Sequence, residues 1–146
     1  MLRVCNPVTT AHPDHLLAKG LHLGLEWEVT KSFIGHRCGY VRLPKGHPWH
    51  GQGWEECPAA VHGGLTFAEP DTHCGKGGED DAWWRGFDCG HYRDAVDPAL
   101  LPKGHPWHTD DTLRDLLSPP WATIKTTEYV VAECRRLAEQ AIAAMG

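Results

Sequence analysis

The last twenty residues constrain the fold of this chain more than any other stretch. Val130, Val131, Cys134, Leu137, Ala138, Ala141, Ile142 and Met145 recur at spacings of three and four, so a helix over 126–145, N-capped by Thr126, carries one apolar stripe. A single amphipathic helix cannot bury its own stripe, and the rest of the chain must supply a complementary apolar face. With 16 Gly and 11 Pro among 146 residues, that face is not a set of further long helices.

Period-2 alternation supplies the alternative. Leu21 to Thr30 alternates apolar and polar residues as a half-buried strand does, and Cys38-Gly39-Tyr40-Val41-Arg42-Leu43 reads as a second strand, with Lys31 to Gly35 joining them. Ala82 to His91, rich in aromatics, reads as a third strand near the centre of the sheet. Ala60 to Phe67 gives a short apolar segment broken by Gly63-Gly64, while 44–58 and 69–81 are loops. Residues 1–20 form a lead-in with a helical turn around Asp14 to Ala18, and Asp110 to Leu117 is a short helix stopped by Ser118-Pro119-Pro120. The expected architecture is one α+β domain over 1–146: a small, mainly antiparallel twisted sheet, the C-terminal helix across one face, and long Pro/Gly-rich loops at one end.

Composition removes several functions. Fourteen basic against 19 acidic side chains give a net charge of -5, which lacks the positive field that nucleic acid or an anionic membrane selects. The N-terminus carries no apolar signal core and no window suits a membrane span, so a cytoplasmic location is expected, that of a host cell if the gene is phage-borne. In that compartment the six cysteines read mostly as reduced thiols, and Cys134 falls on the apolar stripe of the helix.

Eleven histidines are the chemically suggestive excess. His36-Arg37-Cys38 and Cys89-Gly90-His91 each place an imidazole two residues from a thiol, on one face of a strand, so neighbouring strands would bring four ligands together. His62, opened by Gly63 and Gly64, competes with His36. The resulting expectation is a zinc site built from Cys38, His62, Cys89 and His91, in which His47 or Asp88 moves a proton for a metal-bound water. The same residues admit two other readings: buried thiols beside hydrogen-bonded histidines, or a Cys89 nucleophile with His62 or His91 as base and Asp88 or Asp94 as orienter.

Residues 43–50, Leu-Pro-Lys-Gly-His-Pro-Trp-His, recur identically at 101–108. Similarity stops at both borders, which excludes a solenoid period and leaves either a duplicated binding loop or a copying event tolerated at the surface. Trp49 and Trp107, set between histidines in these loops, are candidate binding residues for a partner or ligand. Trp27, Trp83 and Trp84 suit the core or a cleft wall, and Trp84 joins the binding candidates. Gly75-Lys76-Gly77-Gly78 lacks the phosphate-loop pattern and runs into Glu79-Asp80-Asp81.

The ordered motifs Cys38-Gly39-Tyr40-Val41, Gly46-His47-Pro48, His62-Gly63-Gly64-Leu65-Thr66, Trp83 to His91, Glu128-Tyr129-Val130 and Leu137-Ala138-Glu139-Gln140 resemble a family of small proteins of bacteriophages and bacteria. The resemblance covers roughly residues 21 to 97 and 121 to 146. It implies a phage or mobile-element context and no particular reaction, and the second octapeptide looks like an addition to its pattern. Two functions stay open: a metal-assisted hydrolase, or a non-enzymatic accessory or anti-defence protein that binds a host protein or small signalling molecule.

Overall fold

The computed structural model describes residues 6–53, 55, 57–70 and 82–146. A five-residue helix, α1 (Pro7–Ala11), starts where the Asn6 side chain accepts the Val8 N–H at 2.8 Å. Five strands follow, β1 (Leu16–His22), β2 (Leu25–Lys31), β3 (Arg37–Leu43), β4 (Phe67–Pro70) and β5 (Trp83–Asp88), then the helices α2 (Asp111–Leu117) and α3 (Thr127–Ala144). The sheet order is β1-β2-β3-β5-β4 and every neighbouring pair is antiparallel. This is the expected α+β architecture.

Alternation along the strands gives the sheet two distinct faces. Leu25, Trp27 and Val29 of β2, Gly39, Val41 and Leu43 of β3, and Phe87 of β5 meet Val130, Cys134, Leu137, Ala138 and Ala141 of α3 in one core cluster. A Cβ on Gly39 would lie 2.7 Å from the Cys134 sulfur and 2.5 Å from the Phe87 ring, so glycine is what lets α3 settle onto β3. The opposite face carries Cys38, Tyr40, Arg42 and Thr30, with Glu28 bonded to Thr9 of α1 at 3.0 Å.

Helix α3 follows its sequence pattern closely. The Thr126 hydroxyl accepts the Tyr129 N–H at 3.2 Å, and Val130, Cys134, Leu137, Ala138 and Ala141 of the stripe are buried, with Val131 and Ile142 partly so, while Met145 lies past the helix end and is exposed. Elsewhere the expectations shift. The alternation from Leu21 to Thr30 is two strands rather than one, because Leu23 (φ 53°) and Gly24 (φ 82°) form a two-residue hairpin turn between the paired His22 and Leu25. The turn expected around Asp14 to Ala18 shrinks to a 3-10 turn at Pro13–His15 before β1 begins. In the apolar segment around Leu65 only Phe67 enters a strand, and the connection at 71–81, with its glycine run, lies outside the described residues. No helix among the described residues is long and apolar enough to cross a membrane.

Candidate metal and acid–base centre

At the end of the sheet where β3 begins and β5 ends, the chain turns sharply after Asp88. The Cys89 N–H donates to the Arg37 carbonyl at 2.8 Å, which extends the β3–β5 ladder by one residue and fixes the Cys89 side chain on the α3 face. The loop that follows is stitched to the segment before α3: Thr123 N–H donates to the Arg93 carbonyl (2.9 Å) and Ala95 N–H to the Thr123 carbonyl (2.8 Å). Between them Asp94 caps its own turn, accepting the His91 N–H on Oδ2 at 3.0 Å. Its side chain is 1% exposed.

His62 reaches this place from a different segment. The turn at 61–64 needs two consecutive left-handed residues, supplied by Gly63 (φ 67°) and Gly64 (φ 83°). It is pinned to α3 by the His62 N–H on Glu133 Oε1 (2.8 Å) and by Gln140, which exchanges hydrogen bonds with Ala60 at 2.7 and 2.8 Å. The imidazole thereby stands with Nε2 2.9 Å from both Asp94 oxygens and Nδ1 2.8 Å from the Tyr129 hydroxyl. With Asp94 ionised, Nε2 carries the proton and donates, and Nδ1 accepts from Tyr129. The ligand atoms of His62, Cys89 and Asp94 all lie within 4.8 Å of one another.

Electrostatics at the centre are divided. Burial pushes the Asp94 carboxyl upward, but hydrogen bonds from His62, the His91 N–H and Lys125 outweigh it, and its pKa is lowered. Lys125 Nζ lies 3.1 Å from Asp94 Oδ1 and also donates to Thr123 Oγ1 at 2.6 Å. Burial, reinforced by the charges of Asp94, Cys38 and Asp88, drives the Cys89 thiol strongly upward. Without a cation Cys89 is a neutral thiol, which is the wrong state for a nucleophile.

Of the four expected zinc ligands the structure brings two together. Strands β3 and β5 are indeed neighbours, but their register pairs Cys38 with Asp88, so Cys38 falls on the face away from α3 while Cys89 falls on the other. A one-residue difference in register has sent the two thiols to opposite sides. Burial raises Cys38 to about 11, and Tyr40 and Thr30 are its hydrogen-bonding neighbours. His91 stands at the rim with its Nε2 3.2 Å from Asp88 Oδ1 and its ring against Gly63, where a Cβ would come within 2.3 Å of it. His36 packs over Gly90, and burial lowers its pKa against the raising influence of Asp94 and Asp88.

The two expected proton-transfer residues separate. Asp88 borders the centre, bonded to His91, to the Thr66 hydroxyl (3.0 Å) and to the Gly90 N–H (3.2 Å). His47 does not belong to it. Its Nε2 contacts the Ala141 carbonyl at 2.7 Å and its Nδ1 accepts the Trp49 N–H at 2.9 Å, so both ring nitrogens are occupied in the core. Ala141 is twelve residues beyond Tyr129, about 18 Å along the helix axis.

Two of the three expected binding rings, Trp49 and Trp84, are corrected by their burial. Trp49 (5% exposed) and Trp84 (0%) are core residues with no face to offer, whereas Trp107 keeps a partly exposed ring beneath the Arg114 guanidinium, 5.6 Å from its ring centroid. Tyr129 and Lys125 were missed because neither is part of a Cys/His spacing. The signal for Tyr129 was its place in the first turn of a capped helix whose stripe must lie on the sheet. Compared with models of known protein families, with curated proteins and with solved structures, the chain matches none of them.

Proposed function

We propose that His62, Cys89 and Asp94 hold one divalent cation, zinc by the nature of the donors, and that the protein is a metal-dependent hydrolase. The observation that carries this reading is the convergence of an imidazole, a thiol and a buried carboxylate from two segments within 4.8 Å. Nitrogen, sulfur and oxygen donors in a three-residue set suit zinc and leave one position for water, whose pKa such an ion brings toward neutrality. A cation held at His62 Nε2 would take the place of the proton there. Nδ1 would then be the donor, and the Tyr129 hydroxyl, which can give or accept, could hold the ring in either state. His91, oriented by Asp88, is the base at the rim.

Beside the centre runs a groove of about 430 Å³ whose wall includes Asp94, His91, His36, Ile34, Leu116 and the stacked rings of Tyr92 and Trp121. Among the described residues no lysine or arginine lines it, which leaves the proposed metal as the countercharge for an anionic group, and Ile34, Leu116 and the Tyr92 and Trp121 rings fit a substrate with an apolar body. The test is elemental analysis of untagged protein, followed by cobalt substitution. One metal per chain and a thiolate-to-cobalt band that vanishes in Cys89→Ala support the reading. Absence of metal after zinc loading at neutral pH overturns it.

A further inference from the structure

The two copies of Leu-Pro-Lys-Gly-His-Pro-Trp-His share one hydrogen-bond pattern, although Gly46 stands at φ 90° and Gly104 does not take a positive φ. In each, the leucine is buried (Leu43 and Leu101), the histidine N–H donates to the proline carbonyl four-residue-turn fashion (His47 to Pro44, 3.2 Å; His105 to Pro102, 3.0 Å), and the last histidine N–H donates back to the first histidine's carbonyl (2.9 and 3.1 Å). In each, the ring Nδ1 accepts the tryptophan N–H (2.9 and 3.0 Å), and an arginine from elsewhere donates to the tryptophan carbonyl, Arg85 in the first copy and Arg114 in the second. Because Nδ1 is an acceptor in both, the proton of each imidazole is on Nε2 and points outward as a donor.

The acceptor for that Nε2 proton differs as well. His47 Nε2 donates to the Ala141 carbonyl, one of the last-turn carbonyls of α3 that have no partner within the helix, and Ala138 and Ala141 share the core cluster with Trp49. The first copy is thus a cap for the end of an alanine-bearing helix. Among the described residues no acceptor lies against His105 Nε2, and Pro102, Lys103, Gly104 and Pro106 around it are exposed. We infer that residues 101–108 form a docking loop for the C-terminal turn of an alanine-rich helix in a partner protein, in which His105 Nε2 caps a free carbonyl as His47 does within this chain. This interaction surface is independent of the metal reading.

The probe is a peptide with the sequence of residues 127–146, held helical by a staple on its polar face, because that segment is the one the first copy holds. It is titrated into the full-length protein, with the Trp107 indole and the backbone of 101–108 followed by NMR. The decisive variant is His105→Asn. An asparagine side chain can still accept the N–H two residues on, as Asn6 does from Val8 at 2.8 Å, but offers no donor at the Nε2 position. Saturable shifts confined to 101–108, with affinity weakened roughly tenfold in His105→Asn while the free loop's spectrum is kept, support the docking loop. No saturable shift, or equal affinity in the variant, overturns it; self-association of the protein alone that depends on His105 overturns the assignment to a separate partner.

Discussion

The Nε2 atom of His62 stands 2.9 Å from each of the two carboxylate oxygens of Asp94. A ring nitrogen equidistant from both oxygens, with Lys125 on one of them and a backbone N–H on the other, leaves the carboxylate fully engaged though it is buried. Replacing Asp94 disturbs that balance.

Asp94→Asn removes the charge that faces both His62 and Lys125. Loss of one member of a buried charged set costs about 3 kcal/mol, so the variant melts lower, and on the proposed zinc reading its zinc content falls from one per chain to near zero. Calorimetry and elemental analysis read the two effects separately. A variant that keeps its zinc would remove Asp94 from the ligand set.

Tyr129→Phe keeps the ring and deletes only the hydroxyl that orients His62. Tyr129 is 39% exposed, so stability changes by less than about 1 kcal/mol. Metal affinity drops by about 10- to 100-fold, the usual effect of losing the hydrogen-bond partner of a ligating histidine. Competition against a colorimetric chelator measures it.

Gly63→Ala acts through backbone and sterics together. The residue sits at φ 67°, and the added Cβ would come within 2.3 Å of the His91 ring. The expected result is a loss of at least about 1 kcal/mol and a displaced His91, seen as a changed His91 imidazole signal. Gly24→Ala is the control, since it shares a positive φ but has open space around it.

Protonation of His47 is opposed by the fold. Burial lowers its pKa, the Ala141 carbonyl works against that, and Arg85 and His50 add to the lowering. A folded-state pKa below the unfolded value of about 6.5 means that the unfolded chain binds the extra proton first. Stability is therefore complete above that value and declines as the pH falls toward the folded-state pKa. His47→Asn loses the helix cap, about 1 kcal/mol at pH 8, and shows a shallower decline below about pH 6.5 in metal-free protein. Denaturant titrations across that range compare the two slopes.

The parts of this structure that were legible from sequence are those governed by local periodicity. The stripe of α3, its Thr126 cap and the β5 strand depend on neighbours along the chain, and they stand where the pattern puts them. The candidate centre depends on register. Cys38 and Cys89 are separated by the pairing of Cys38 with Asp88, and no feature of either strand's own sequence states that pairing. The hairpin at Leu23-Gly24 shows a related limit, since its alternation runs on through the turn as if no turn were there. Tyr129 and Lys125 needed the position of α3 on the sheet before they could be connected to His62.

That position has a mechanical side. Tyr129 near one end of α3 grips His62, and Ala141 near the other grips His47, so the helix is pinned at two points against sliding along its own axis. A slip of a single residue is a displacement of about 1.5 Å, enough to break the Tyr129 hydrogen bond. The buried histidine of the first octapeptide is in this sense a gauge: it sets, from the far end of a rigid rod, the distance at which the imidazole of His62 is held.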